Sequence, residues 1–241
     1  MDIWAIADLH LPFGVPQKTM EIFGPEWKNY TTKLQSAWDR YVTNNDLVLI
    51  AGDISWASRP EEARADLQWI DDRPGTKLMI KGNHDYWWSS LSKVQKILPS
   101  SIRLIQNNAL SFHPIAITGT RLWTSHEFSF EAITNKQEEK NEQDERLFTR
   151  EIQRLERCLE QLDPSASLKI AMTHFPPIGY DLTSTQASQL FEKYGISLVV
   201  FGHLHALPPT IHPLFGTKNG VRYVLTSADW LQFSPIHLGS Y

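Results

Sequence analysis

Residues 79–88 read MIKGNHDYWW. An apolar approach runs into a glycine, then an amide, an imidazole and a carboxylate stand side by side before a clump of aromatics. A buried strand that ends in this way sets hydrogen-bonding and metal-ligating groups where it leaves its sheet. One such cluster decides little. The other strand ends of the chain decide what it means.

Those ends carry complementary groups. Short apolar runs bounded by Gly, Pro, Asn or Asp occur at residues 3–7, 47–51, 78–80, 115–118, 168–172, 198–201 and 221–225. The first continues as Asp8-Leu9-His10, the second as Gly52-Asp53 and the third as Gly82-Asn83-His84-Asp85. Later, Met172-Thr173 leads into His174, and Val199-Val200-Phe201 leads into Gly202-His203-Leu204-His205. Helical spacing lies between the runs. It links Leu34, Ala37, Trp38, Tyr41 and Val42, then Leu91, Val94 and Leu98, then Leu190, Phe191 and Tyr194 before Gly195. Ser58-Arg59-Pro60-Glu61 has the form of a capping box opening a helix through Ala63, Leu67 and Ile70. Strands alternating with helices imply an α/β fold. In such a sheet ligands gather beyond the carboxyl ends of the strands, so five strands deliver Asp, Asn and His to one edge.

Composition narrows the function classes. The 241 residues carry a net charge of −4, which offers no general attraction for nucleic acid or anionic membrane. The single cysteine, Cys158, excludes an intrachain disulfide and a thiolate metal cage. The first ten residues hold only a five-residue apolar run and no basic segment, too short for a signal peptide or a membrane span. The expected location is therefore the cytoplasm. Imidazole, carboxylate and amide oxygen without thiolate suit borderline divalent ions such as Mn, Fe, Co, Ni or Zn. Two such ions facing only two carboxylates leave a cationic surplus that suits a phosphate.

One stretch breaks the rhythm. From 135 to 160 the chain is densely charged, with Phe148, Ile152, Leu155, Leu159 and Leu162 on one helical stripe and Asp163-Pro164 as its stop. The expected helix packs on the sheet by that stripe. The preceding His126-Glu127-Phe128-Ser129-Phe130 is a candidate flap over a site.

Asp8-x-His10, Gly52-Asp53, Gly82-Asn83-His84-Asp85, His174 and Gly202-His203-x-His205 together resemble the calcineurin-like metallophosphoesterase superfamily, in order, across residues 8–205. The resemblance implies a four-layer α-β-β-α sandwich, one domain over 1–241, with the charged helical insert at about 126–162. It implies two divalent metal ions, manganese foremost. One is held by Asp8, His10, Asp53 and His205, the other by Asp53, Asn83, His174 and His203, with Asp53 bridging. His84 becomes the acid outside the metal shell, and Asp85 its orienting partner. The implied reaction is in-line attack of metal-bound hydroxide on a phosphomonoester or phosphodiester of a small molecule.

The substrate is less legible. The continuations Ile54-Ser55-Trp56 and Tyr86-Trp87-Trp88 differ from those of the protein Ser/Thr phosphatase branch and look like a small group of bacterial phosphoesterase-like proteins. Trp56, Trp87 and Trp88 are expected to pack helices onto the sheet, with an apolar wall for substrate as the alternative. Arg59, Arg121 and His126 are further candidates for substrate contact, beside surface or helix-end roles. Ser227-Ala228-Asp229-Trp230 follows another strand and is a candidate border of the same cleft. The alternatives within enzymes are a nucleotide phosphodiesterase and a UDP-diacylglucosamine-type pyrophosphohydrolase. The alternative outside them is a metal-binding scaffold without turnover. The expected partner is a small phosphorylated substrate, with neither nucleic acid nor membrane.

Overall fold

The computed structural model of the chain describes residues 1–134, 142–208 and 215–241. Its strands are β1 Asp2–Ile6, β2 Leu47–Ile50, β3 Thr76–Met79, β4 Ile102–Leu104, β5 Ala109–Phe112, β6 Ile115–Thr120, β7 Leu168–Thr173, β8 Leu198–Phe201, β9 Thr217–Lys218, β10 Val221–Leu225 and β11 Ile236–Ser240. Its α-helices are α1 Tyr30–Tyr41, α2 Pro60–Asp71, α3 Leu91–Gln95, α4 Glu131–Thr134, α5 Glu142–Leu159 and α6 Gln186–Lys193. The fold is α/β, with two parallel-rich sheets. The described residues divide into two compact units, residues 1–104 with 226–241, and residues 105–225.

The first unit carries the sheet β11-β1-β2-β3-β4. Its strands β1 to β4 are parallel, and β11 runs antiparallel beside β1. Register sets the use of this sheet: Ile6 pairs with Ile50 and Ile50 with Met79. The carboxyl ends of β1, β2 and β3 are therefore level, and the three polar loops leave at one edge. Helices α1 and α2 pack Leu34, Trp38, Ala63, Leu67 and Ile70 onto Val48, Ile50 and Met79 in one apolar core. Trp87 and Trp88 are buried in the same core, which bears out their packing role.

The second unit carries the sheet β5-β6-β7-β8-β10-β9. Strands β6, β7, β8 and β10 are parallel, with antiparallel β5 and β9 at the edges. Thr120 pairs with Thr173 and Met172 with Val200, so the chain leaves β7 and β8 side by side. Strands β2 and β8 are buried at every position, which is why they read as unbroken apolar runs rather than alternating ones.

Several boundaries differ from expectation for physical reasons. Strand β3 starts at Thr76, ahead of the apolar run, because it carries a buried Lys77 whose Nζ donates to the carbonyls of Asp71 and Arg73. Helix α2 opens one residue away from the expected box. Glu62, not Glu61, reaches back to the Ser58 and Arg59 N–H groups at 2.9 and 3.2 Å, with Pro60 in the first turn. Strands β4, β5, β9 and β11 are short or polar and lie toward sheet edges, so no apolar run marks them. Residues 135–141 of the expected insert lie outside the described residues. Its helix α5 packs along β6: Thr120 Oγ1 donates to the buried Glu151 at 2.6 Å, and Thr118 Oγ1 donates to the Cys158 carbonyl at 3.3 Å. Among the described residues no helix is long and apolar enough to cross a membrane.

Candidate metal centre

In the first unit each candidate ligand sits where a strand stops. Beyond β1 and β2 the two loops keep a backbone ladder. Asp8 N–H donates to the Gly52 carbonyl at 2.9 Å, His10 N–H to that of Asp53 at 3.0 Å, and Leu11 N–H to that of Ile54 at 3.0 Å. Held this way, Asp8, His10 and Asp53 adopt φ of 59°, 45° and 52°. Residues with a side chain seldom take such angles, and surroundings must over-determine them to keep them there. All three side chains are buried.

The side chains converge. His10 Nε2 lies 3.7 Å from Asp53 Oδ2. A ligand atom of Asp8 lies within 4.8 Å of one on His10, and likewise of one on Asp53. Two carboxylates buried together repel one another and favour a bound cation, and the adjoining imidazole completes a donor set of borderline type. The residues of this unit therefore fit a divalent transition metal.

The loop after β3 joins them. His84 N–H donates to Asp53 Oδ1 at 2.8 Å. A Cβ on Gly82 would stand 2.1 Å from Asp53 Oδ1 and 2.2 Å from its backbone nitrogen, so glycine alone permits this approach. Asn83 and His84 are half-buried. The His84 ring centroid is 5.7 Å from that of His10 and 5.2 Å from that of Trp56. Trp56 itself stacks on His10 at 4.8 Å and 26°. Trp56 thus packs against the core while bracing one candidate ligand.

The expectation made Asp85 the partner that orients His84. Its carboxylate instead accepts from Ile54 N–H at 2.8 Å, Ser55 N–H at 3.2 Å, Trp87 Nε1 at 2.9 Å and Gly82 N–H at 2.8 Å. It clamps the loops after β2 and β3 together. The physical reason lies in the two facing turns, whose N–H groups need a buried acceptor.

Two supports have no counterpart among the sequence expectations. The Tyr30 hydroxyl on α1 donates to the His10 carbonyl at 2.6 Å, and nothing in the sequence marks that bond. Buried Asp66 on α2 accepts from Phe13 N–H at 2.8 Å and from the Ser55 hydroxyl. Burial raises its carboxyl to about 6, against the lowering by those hydrogen bonds. Its position on the apolar stripe of α2, between Ala63 and Ile70, was the signal that could have found it. At the exit of β1, Ala7 N–H donates to the Thr226 carbonyl at 2.7 Å and Ala228 N–H to that of Ala7 at 3.0 Å. The 227–230 segment therefore flanks the start of the Asp8 loop.

In the second unit, His174 and Phe175 N–H both donate to the Arg121 carbonyl, at 3.1 and 2.9 Å. Gly202 N–H donates to the His174 carbonyl at 3.1 Å, tying the two histidine loops together. The His174 and His203 rings stand 5.2 Å apart, and His203 has φ of 74°. His174 is buried, while His203 and His205 are half-buried. The Arg121 guanidinium lies over the Trp123 ring at 4.5 Å. Arg59 is mostly exposed and held at the start of α2 by Glu62 at 2.7 Å, a helix-end role. His126 is exposed, and its neighbour Glu127 accepts from Gln186 N–H at 2.9 Å at the start of α6.

Sequence and fold comparisons point the same way. The family model of the calcineurin-like phosphoesterases matches residues 1–207. Over 84 residues the chain is 40% identical to the Gene 66 protein of Mycobacterium phage L5, and over 84 residues 34% identical to that of Mycobacterium phage D29. These matches take in 34% and 35% of this chain, and the chain spans only 39% and 40% of the phage proteins. In fold, the chain is similar to the crystal structure of phosphopantetheinyl hydrolase (PptH) from Mycobacterium tuberculosis. The TM-score is 0.60 at 17% identity, covering 98% of this chain and 95% of that one.

Proposed function

The chain belongs to the calcineurin-like phosphoesterase family, and from that premise we propose that it is a metal-dependent phosphoric ester hydrolase acting on a phosphomonoester or phosphodiester of a small molecule. The observation that carries this reading is the convergence of Asp8, His10 and Asp53 with the His84 loop at one sheet edge.

Asp8, His10, Asp53 and His205 would hold one metal, and Asp53, Asn83, His174 and His203 the other, with manganese as the first choice. When bound, such a pair supplies Lewis acidity and lowers the pKa of a coordinated water. The protein's own groups do the rest. Backbone ladders fix the main chain at the buried Asp8 and Asp53, so their placement needs little reorganisation during the reaction. His84, tethered through its N–H to Asp53, is half-buried and reaches solvent, as a proton donor must. In hydrolysis the water oxygen forms the new bond to phosphorus and its proton passes to solvent, the bond to the leaving oxygen breaks, and His84 gives that oxygen a proton that solvent then restores. Such general acid catalysis contributes ~10²–10⁴-fold.

The test is a reconstitution. The metal is stripped, manganese restored, and turnover measured on phosphomonoesters, linear and cyclic diesters, nucleotides, nucleotide pyrophosphates and a phosphopantetheinyl ester. Manganese-dependent turnover on simple esters supports the proposal. Activity confined to nucleotides or pyrophosphates would shift the assignment to those classes. No turnover on any of them with metal bound would leave a binding module.

A further inference from the structure

The second unit holds a cavity of about 310 Å³ whose lining includes His203 and His205. Four aromatic side chains wall it: Trp123, Phe128, Phe130 and Phe175. They are organised, not scattered. Trp123 lies 5.0 Å from Phe175, and Phe175 lies 4.1 Å from His203 at 37°, so a run of rings leads from the far wall to a candidate ligand. Phe128 and Phe130 meet edge to face at 5.0 Å on the wall formed by the segment before α4.

Two hydroxyls of the lining bond within the protein. Ser125 Oγ donates to Glu127 at 3.2 Å and accepts from its N–H at 3.1 Å, and Thr134 Oγ1 donates to the Phe130 carbonyl at 3.0 Å. Among the described residues no Asp, Glu, Lys or Arg lines the cavity. A charged tail would therefore meet no carboxylate, ammonium or guanidinium there, and four aromatic rings offer an apolar ring their faces and edges. The volume is about twice the ~150 Å³ of a cavity known to hold benzene, which suits one or two fused rings.

We propose that this cavity is the subsite for the organic part of the substrate, and that it selects an uncharged aryl or arylalkyl group attached to the phosphoryl centre. The inference rests on the phosphoesterase reading above and sharpens it to a substrate class. Phe128, half-buried on the wall, is the residue that sets the preference.

The experiment compares methyl, benzyl and naphthylmethyl phosphates on the manganese-loaded protein. Their leaving alcohols are similar enough that the ring, not the chemistry, dominates the comparison. Burying a ring of this size is expected to raise kcat/KM by ~10–100-fold from methyl to naphthylmethyl, mostly through KM. Phe128→Ala should lower kcat/KM for the naphthylmethyl ester at least tenfold more than for the methyl ester. Thr124→Trp, which fills the cavity instead of enlarging it, should also erase the preference. Binding of naphthylmethylphosphonate, followed by calorimetry, gives a readout that needs no turnover. Binding that Phe128→Ala weakens, without hydrolysis of any ester, would keep the subsite and overturn the enzyme reading. Hydrolysis with a flat series and no phosphonate binding would overturn the subsite and keep the enzyme. A preference for nucleoside phosphates over the naphthylmethyl ester would also overturn it.

Discussion

The backbone N–H of His84 donates to Asp53 Oδ1 at 2.8 Å, so the candidate bridging ligand is also the anchor of the loop that carries the candidate acid. Asp53 therefore serves two purposes that mutation can separate. An amide keeps an oxygen for the His84 N–H but removes the negative charge. Asp53→Asn should leave folding within about 1 kcal/mol of wild type, as expected when a hydrogen bond is kept, while bound metal measured by elemental analysis falls by at least half. A variant that retains its full metal content would contradict the bridging role.

His84 itself is expected to act on the reaction and not on metal loading. His84→Asn should keep the metal content and lower kcat by ~10²–10⁴-fold, the range of a lost general acid. The loss should be smallest for substrates whose leaving group needs no proton. An equal loss across leaving groups of widely different pKa would assign His84 a binding role instead.

Asp85 is expected to affect stability before it affects chemistry. Its carboxylate satisfies N–H groups of Ile54, Ser55, Gly82 and the Trp87 indole. Asp85→Ala strands several buried donors, each costing ~1–3 kcal/mol. Urea unfolding should register a loss above about 3 kcal/mol, and Asp85→Asn a smaller one. An unchanged midpoint for Asp85→Ala, with a displaced pH–rate profile, would restore the orienting role for His84.

Gly82→Ala tests the closeness of two loops. The added methyl would meet Asp53 Oδ1 at 2.1 Å and its backbone nitrogen at 2.2 Å, so one loop has to move. Metal content and turnover should both fall sharply while the far-UV circular dichroism stays native. Wild-type turnover in this variant would mean that the loops sit further apart than described.

Asp66 makes stability depend on pH in a direction opposite to most paired carboxylates. Burial lifts its carboxyl to about 6, above the ~3.9 of an unfolded chain. The folded protein thus holds that proton more tightly. The resulting stabilisation is full below about pH 4 and is lost as pH rises through about 6. A shift of about two units corresponds to ~3 kcal/mol. Subtracting the unfolding free energies of Asp66→Asn from those of wild type isolates this group. The difference should fall between pH 4 and 7, and a flat difference would mean the buried carboxyl titrates normally.

The sequence by itself determined the α/β alternation, seven strands of the sheets and the polar residues that terminate five of them. These are local signals: an apolar run followed by Gly-Asp or Gly-Asn-His-Asp is legible without any distance. Tertiary structure alone decided how the residues use one another. It made Asp85 a clamp, put the Tyr30 hydroxyl under His10 and closed four aromatic rings around a cavity. It also set Asp8, His10 and Asp53 at positive φ, a region that Asp and His enter more readily than most side chains but that no apolar run foretells. Each of these rests on hydrogen bonds or contacts between segments far apart in the chain, and a linear pattern contains no such separations until the sheets bring their strand ends level.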